Sequence, residues 1–175
     1  MQTHDWQVIV REYGPLVWQT AYRLLPNHAD AADCFQETFL TALELSRRQQ
    51  VRNLPGLLVR LATTRAIDRL RQKNRRSRTE PSNEEPQATG ADPLDQLEAE
   101  DLAIQLREAI ADLPAQEAKV FCLRYLSELS YRQIARELEI GISAVGVSLH
   151  RAKARLRQSL AQTTVSSEVS DEQSR

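Results

Sequence analysis

The chain is poor in the residues that build loops, strands and reactive centres. Five glycines among 175 residues are too few for a loop-rich fold or a phosphate-cradling loop. Aromatic residues make up 5% of the chain, and no stretch alternates apolar with polar residues as a half-buried strand would. The only two cysteines, Cys34 and Cys122, lie far apart on apolar helical faces, so each is expected to be a small buried hydrophobe rather than half of a disulfide or a ligand. His4, His28 and His150 lack metal-ligand spacing with the cysteines or with one another, so no metal site is expected. No nucleophile motif or paired-carboxylate site is visible, which argues against an enzyme and against a cofactor. No run approaches the roughly 20 apolar residues that cross a bilayer, and Met1 to Trp6 is polar without a signal-peptide core. A cytoplasmic protein without membrane insertion is expected.

What the chain does contain is Leu, Ala, Arg, Glu and Gln at helical spacing, which predicts an all-α fold. A first helix is predicted from Val8 to Leu25, with Val8, Ile9, Tyr13, Val17, Ala21, Leu24 and Leu25 inward, ending at Pro26-Asn27. A second spans Asp30 to Leu45, burying Cys34, Phe35, Thr38, Phe39, Ala42 and Leu43 and presenting Asp33, Gln36 and Glu37 on its other side. A third, from Pro55 to Arg76, begins apolar through Leu57, Leu58, Leu61, Ala62 and Ile67 and ends as a basic run. Ser77 to Asp92, with Pro81, Pro86 and Gly90 among polar residues, has almost nothing to bury and is expected to be an extended linker. Helical periodicity resumes at Leu94, Leu97, Leu102, Leu106 and Ile110, and the Ser-rich tail after Gln162 is expected to be disordered.

The stretch from Leu113 to Leu160 is the most informative. Leu113-Pro114 starts a helix whose face carries Val120, Leu123 and Leu126. Ser130 and Gln133 have capping-box spacing ahead of a short helix with Ile134, Ala135 and Leu138 inward. After a turn at Glu139-Ile140-Gly141, a third helix turns Val145 and Leu149 inward and Ser148, Arg151, Lys153, Arg155 and Arg157 mostly outward. This is a helix-turn-helix pattern running into a basic helix, an arrangement suited to the major groove of DNA.

Net charge of −1 conceals a strong asymmetry: residues 1–79 carry +6, residues 80–101 carry −8 and residues 102–160 carry +3. Two basic blocks flank an acidic connector, which predicts a domain at 1–78, a flexible acidic linker at 79–93, a second domain at 94–161 and a tail at 162–175. In the free chain the two domains are expected to pack together and cover their basic surfaces.

The ordered motifs Asp30-Ala31-Ala32-Asp33-Cys34-Phe35-Gln36-Glu37-Thr38-Phe39, Leu61-Ala62 to Ile67-Asp68-Arg69-Leu70-Arg71, Leu113-Pro114, Ser130-Tyr131-Arg132-Gln133-Ile134-Ala135 and His150-Arg151-Ala152 resemble a bacterial sigma factor. The likeness runs from about Val10 to Leu160 and is greatest to the extracytoplasmic-function group of the sigma-70 family, which keeps only domains 2 and 4. The resemblance implies an alternative sigma factor that binds core RNA polymerase and directs promoter recognition, often under an anti-sigma factor. It implies that Asp30, Asp33, Gln36 and Glu37 dock on the polymerase. The loop from Ser46 to Asn53 would then sit at the minus 10 element, with Arg47, Arg48, Arg52, Asn53, Arg65, Arg69, Arg71, Lys73, Arg75 and Arg76 as its DNA-binding residues. Domain 4 would read the minus 35 element through Arg132, Gln133, Ser143, Ala144, Val147, Ser148, His150, Arg151, Lys153 and Arg155.

The chain departs from that family in several places. Gly146-Val147-Ser148 stands where a Lys-Ser-Arg-like run is common, removing positive charge and adding a poor helix former, so weak or unusual minus 35 contacts are expected. Glu139 occupies the usual turn glycine. No aromatic occurs between Phe39 and Phe121, so flipped bases lack a stacking platform and modest strand-melting power is expected. Two other readings compete: a conventional helix-turn-helix regulator that binds DNA without polymerase, and a degenerate sigma-like protein that occupies polymerase without initiating.

Overall fold

A computed structural model describes residues 5–79 and 93–172, with side chains placed for 5–79 and 99–162. Its seven helices are α1 (Trp6–Leu24), α2 (His28–Arg48), α3 (Leu54–Thr79), α4 (Pro93–Asp112), α5 (Ala115–Tyr125), α6 (Tyr131–Leu138) and α7 (Ile142–Glu172), with no strand among the described residues. Local chemistry sets several starts. The Asp5 carboxylate accepts from the Gln7 amide at 3.0 Å, and the Asn27 side-chain oxygen accepts from Ala29 and Asp30 at 2.8 and 3.2 Å, satisfying amides that no helical carbonyl can reach.

Several helices outrun their expected limits. Residues Ser46 to Arg48 form the last turn of α2, so the α2–α3 loop is only 49–53 rather than Ser46 to Asn53. α3 continues through Ser77 to Thr79, which shortens the expected linker; residues 80–92 lie outside the described residues. α7 runs on to Glu172, so the segment from Gln162 to that point is helical instead of disordered. Val8 and Leu102, expected inward, are exposed, while the side chains of Leu94 and Leu97 lie outside the described set.

Packing is organised around α3. One end of it joins α1 and α2 through Ile9, Val17, Phe39, Ala42, Leu57, Leu58 and Ala62. A second cluster unites Val120, Leu123, Ile134, Ala135, Val145 and Leu149 of the helix-turn-helix unit, and Val59 of α3 belongs to it. The third joins Leu24, Leu25, Cys34, Ile67 and Leu70 to Ile110, Leu113, Cys122 and Leu156. The two sequence halves therefore pack on each other through two of the three apolar clusters, while Arg47, Arg48, Arg52, Arg75, Arg76, Arg132 and Arg151 stay exposed rather than covered as expected. Polar contacts follow the same seam. Asn53 Nδ2 donates to Glu137 Oε1 at 2.5 Å, Arg78 pairs with Asp112 at 2.7 Å, and Arg107 Nε donates to the Arg23 carbonyl at 3.1 Å. The Arg71 and Arg23 guanidiniums donate to the carbonyls of Leu113 and Leu126.

Candidate nucleic-acid interface

The outer face of α2 carries Asp33, Gln36 and Glu37 exposed and Asp30 half-buried near its start. Arg69 reaches across from α3 to this face, with Nη2 2.7 Å from Glu37 Oε1 and Nη1 3.6 Å from Asp33 Oδ2. Leu40, one turn beyond Gln36, is 59% exposed and adds an apolar spot to the acidic face. Sequence reading missed it because a lone exposed leucine carries no motif; its position four residues after Gln36 was the available signal. Arg69, expected among the minus 10 contacts, thus sits with the Asp33 and Glu37 carboxylates of α2.

The remaining basic residues divide into engaged and outward sets. Arg65 donates to the Thr41 hydroxyl and Arg71 to the Leu113 carbonyl, so both guanidiniums are held within the protein. Asn53 caps α3, its side-chain oxygen accepting from the Gly56 amide at 3.3 Å while its amide meets Glu137. Lys73 is half-buried. Arg47, Arg48 and Arg52 at the α2–α3 loop, and Arg75 and Arg76 on the last turns of α3, point into solvent. These five could neutralise phosphate as the molecule stands.

The helix-turn-helix is locally well specified. Ser130 Oγ accepts from the Gln133 amide at 3.2 Å and Gln133 Oε1 accepts from the Ser130 amide at 2.8 Å, a complete capping box. Gln133 therefore serves the start of α6 with the same oxygen that could have accepted from a base. The turn places Glu139 in the left-handed region at φ 55°, and the Ile140 amide reaches back to the Ala135 carbonyl at 3.0 Å.

Of the residues expected at the minus 35 element, Ser143, Val147, His150, Arg151 and Arg155 are outward on α7, with Ala144 and Lys153 half-buried; Arg132 is outward on α6. Arg155 Nε lies 3.0 Å from the buried Glu117 carboxylate. The expectation for Ser148 is corrected. It is 7% exposed, and its hydroxyl accepts from Gln116 Nε2 at 3.1 Å, so it braces α7 on α5 and cannot face a groove. Periodicity leaves that position between two faces, and only Gln116 on another helix settles it.

No group of His, Cys, Asp and Glu able to hold a metal occurs among the described residues, and no described helix is long and apolar enough to cross a membrane. Burial pushes the Cys34 thiol up to about 11, against the partial opposing pull of Arg69 and the Thr38 hydroxyl, and the Cys122 thiol up to about 12. Neither is a poised nucleophile.

Comparison with known proteins matches both halves of the chain to one family. Residues 9–76 match the family model for sigma-70 region 2, and residues 103–156 match that for sigma-70 region 4. The ECF RNA polymerase sigma factor SigW of Bacillus subtilis is 31% identical over 162 residues, covering 87% of each chain. The ECF RNA polymerase sigma factor SigE of Mycolicibacterium smegmatis is 28% identical over 159 residues, where this chain spans 90% of its own length and 62% of the relative's. Among solved structures, the sigma factor RpoE from Bartonella quintana, crystallised with the anti-sigma factor NepR, shares the fold at TM-score 0.56 and 21% identity, covering 90% of this chain and 97% of that one. The acidic α2 face thus falls in a region 2 and the helix-turn-helix in a region 4, and the chain belongs to the extracytoplasmic-function group of the sigma-70 family.

Proposed function

We propose that this chain is an alternative sigma factor that binds bacterial core RNA polymerase and directs it to promoter DNA. The observation that carries the reading is the presence on one chain of a region 2, with its acidic face on α2, and a region 4, with its helix-turn-helix. A conventional regulator needs the second unit but not the first. In this reading Asp33, Gln36 and Glu37, with Leu40 beside them, form the polymerase-docking face. Asp30 lies at its edge, and Arg69 orders its carboxylates. Arg47, Arg48, Arg52, Arg75 and Arg76 meet phosphates around the minus 10 element, joined by Asn53, Arg65, Arg71 and Lys73 when their internal contacts are exchanged for DNA. Arg132, Ser143, Val147, His150 and Arg151 face the minus 35 element, with Gln133, Ala144, Lys153 and Arg155 at its border. An anti-sigma partner belongs to the same reading, supported by the relative that was crystallised with one.

The test is reconstitution with core polymerase, comparing wild type with Gln36→Ala/Glu37→Ala and sequencing transcript starts on genomic DNA. Specific starts are expected from wild type, and at least tenfold weaker core binding from the double variant, because its acidic face is truncated at the centre. Core binding without specific starts would favour a degenerate subunit. DNA binding that ignores polymerase would favour a conventional regulator.

A further inference from the structure

In a helix-turn-helix the first turns of the second helix lie against base edges in the major groove. Recognition there usually rests on paired hydrogen bonds, Arg or Lys to guanine and Asn or Gln to adenine. Between Glu139 and His150 this chain has no charged residue and no Asn or Gln. With Ser148 turned inward and bonded to Gln116, Ser143 carries the single outward side-chain hydroxyl of the stretch. What the surface offers instead is aliphatic: Val147 is 50% exposed and Ile142 51% exposed.

Val147 stands one helical turn after Ser143 and one turn before His150 and Arg151, at the centre of the outward stripe. Arg151 is exposed one turn further along α7, and Arg132 is exposed near the start of α6, both groups of the kind that bind phosphate. Beside it Gly146 is half-buried, and a Cβ there would touch the Tyr131 ring at 3.9 Å, so the flank of the stripe is also apolar. One feature of the major groove matches an exposed aliphatic side chain one turn from an outward arginine, and that is the C5-methyl group of thymine.

We infer that Val147 reads a thymine of the minus 35 element through its C5-methyl group, so that apolar contact rather than a paired hydrogen bond selects the base at that position. The inference rests on the sigma-factor reading and names the chemistry of its second DNA contact. A pool of promoters randomised across the minus 35 element is transcribed by polymerase reconstituted with the full chain, and the enriched templates are sequenced. Each enriched thymine is then replaced singly by deoxyuridine, which lacks only the methyl group. At one position the replacement is expected to lower promoter affinity about fourfold, the worth of one methyl group removed from water. Val147→Ala should lower affinity for the thymine template by a similar factor and be indifferent to the replacement. Specific starts with no thymine enriched, or with deoxyuridine as good as thymine at every position, would overturn the inference and leave the sigma-factor reading intact. Equal losses by Val147→Ala on both templates would also overturn it. Absence of any specific start would remove the sigma-factor reading, and the inference with it.

Discussion

At the residue scale, burial and partners decide what a side chain can do. Cys34 and Cys122 are the two free thiols, both enclosed in the core shared by the two halves. Burial excludes the thiolate, raising one to about 11 and the other to about 12 from 9.0. A chromogenic disulfide reagent at pH 8 is therefore expected to label neither cysteine in the native protein and both after denaturation; rapid labelling of either in native buffer would contradict the shared core. The sign of the linkage is that of an acid held protonated. The stabilisation is complete below the unfolded thiol range near 9 and is lost as pH rises towards the folded values. Both burials were legible in the sequence, because each cysteine falls in phase with apolar neighbours. The engagement of Arg69 with Asp33 and Glu37 was not, since these residues are far apart in the chain and meet only when α2 and α3 pack.

At the element scale, helix starts were more legible than helix ends. The Ser130–Gln133 capping box is a local hydrogen-bond exchange, so its spacing sufficed to locate α6. The far end of α6 is less comfortable, since Glu139 takes the left-handed conformation at φ 55° that an L side chain resists. Glu139→Gly is expected to stabilise the protein by about 0.5–1 kcal/mol, removal of the Cβ strain outweighing glycine's greater freedom in the unfolded chain. That corresponds to a rise in Tm of roughly 1–4 °C for a chain of this size. A calorimetric Tm that stays level or falls would show that the turn accommodates Glu139 without strain. Boundaries such as Arg48 and Thr79 escaped sequence reading because polar helix ends bury little, and nothing in their local spacing marks where hydrogen bonding stops.

At the scale of the whole molecule, the shared core has a mechanical consequence. The minus 35 and minus 10 elements are centred about 25 base pairs apart, or roughly 85 Å at about 3.4 Å per pair. A compact chain of this length has a radius of gyration of roughly 16 Å, so with α3 packed on α4, α5 and α6 it cannot reach both elements. The thirteen residues between Thr79 and Pro93 extend at most about 45 Å, enough to bridge the gap once the units part and each contributes its own width. Promoter binding in the proposed function therefore requires the core around Ile67, Leu70, Ile110 and Leu113 to open. Gly56 is buried beneath the Asn53–Glu137 contact of the seam, where a Cβ would fall 2.2 Å from both Asn53 Nδ2 and Glu137 Oε1 and displace their side chains. Gly56→Leu is expected to loosen the two units, raising the radius of gyration in small-angle scattering by several ångströms while helical content by circular dichroism holds. An unchanged scattering profile would mean that this seam does not hold the units together.

Local chemistry was enough to specify which segments are helical, most of their apolar faces, the capping box and the separation of charge into blocks, because each depends on residues within a turn or two of one another. The ordered motifs across that frame were enough to suggest the family. Tertiary packing alone settled which polar residues are free to act. Ser148 is lost to Gln116, Arg69 is drawn to the carboxylates of α2, Arg71 is held by the Leu113 carbonyl, and Val147 remains outward. Each of those outcomes is a contact between separate helices, and the partner that satisfies a polar group or leaves an apolar one uncovered is chosen only when distant segments meet.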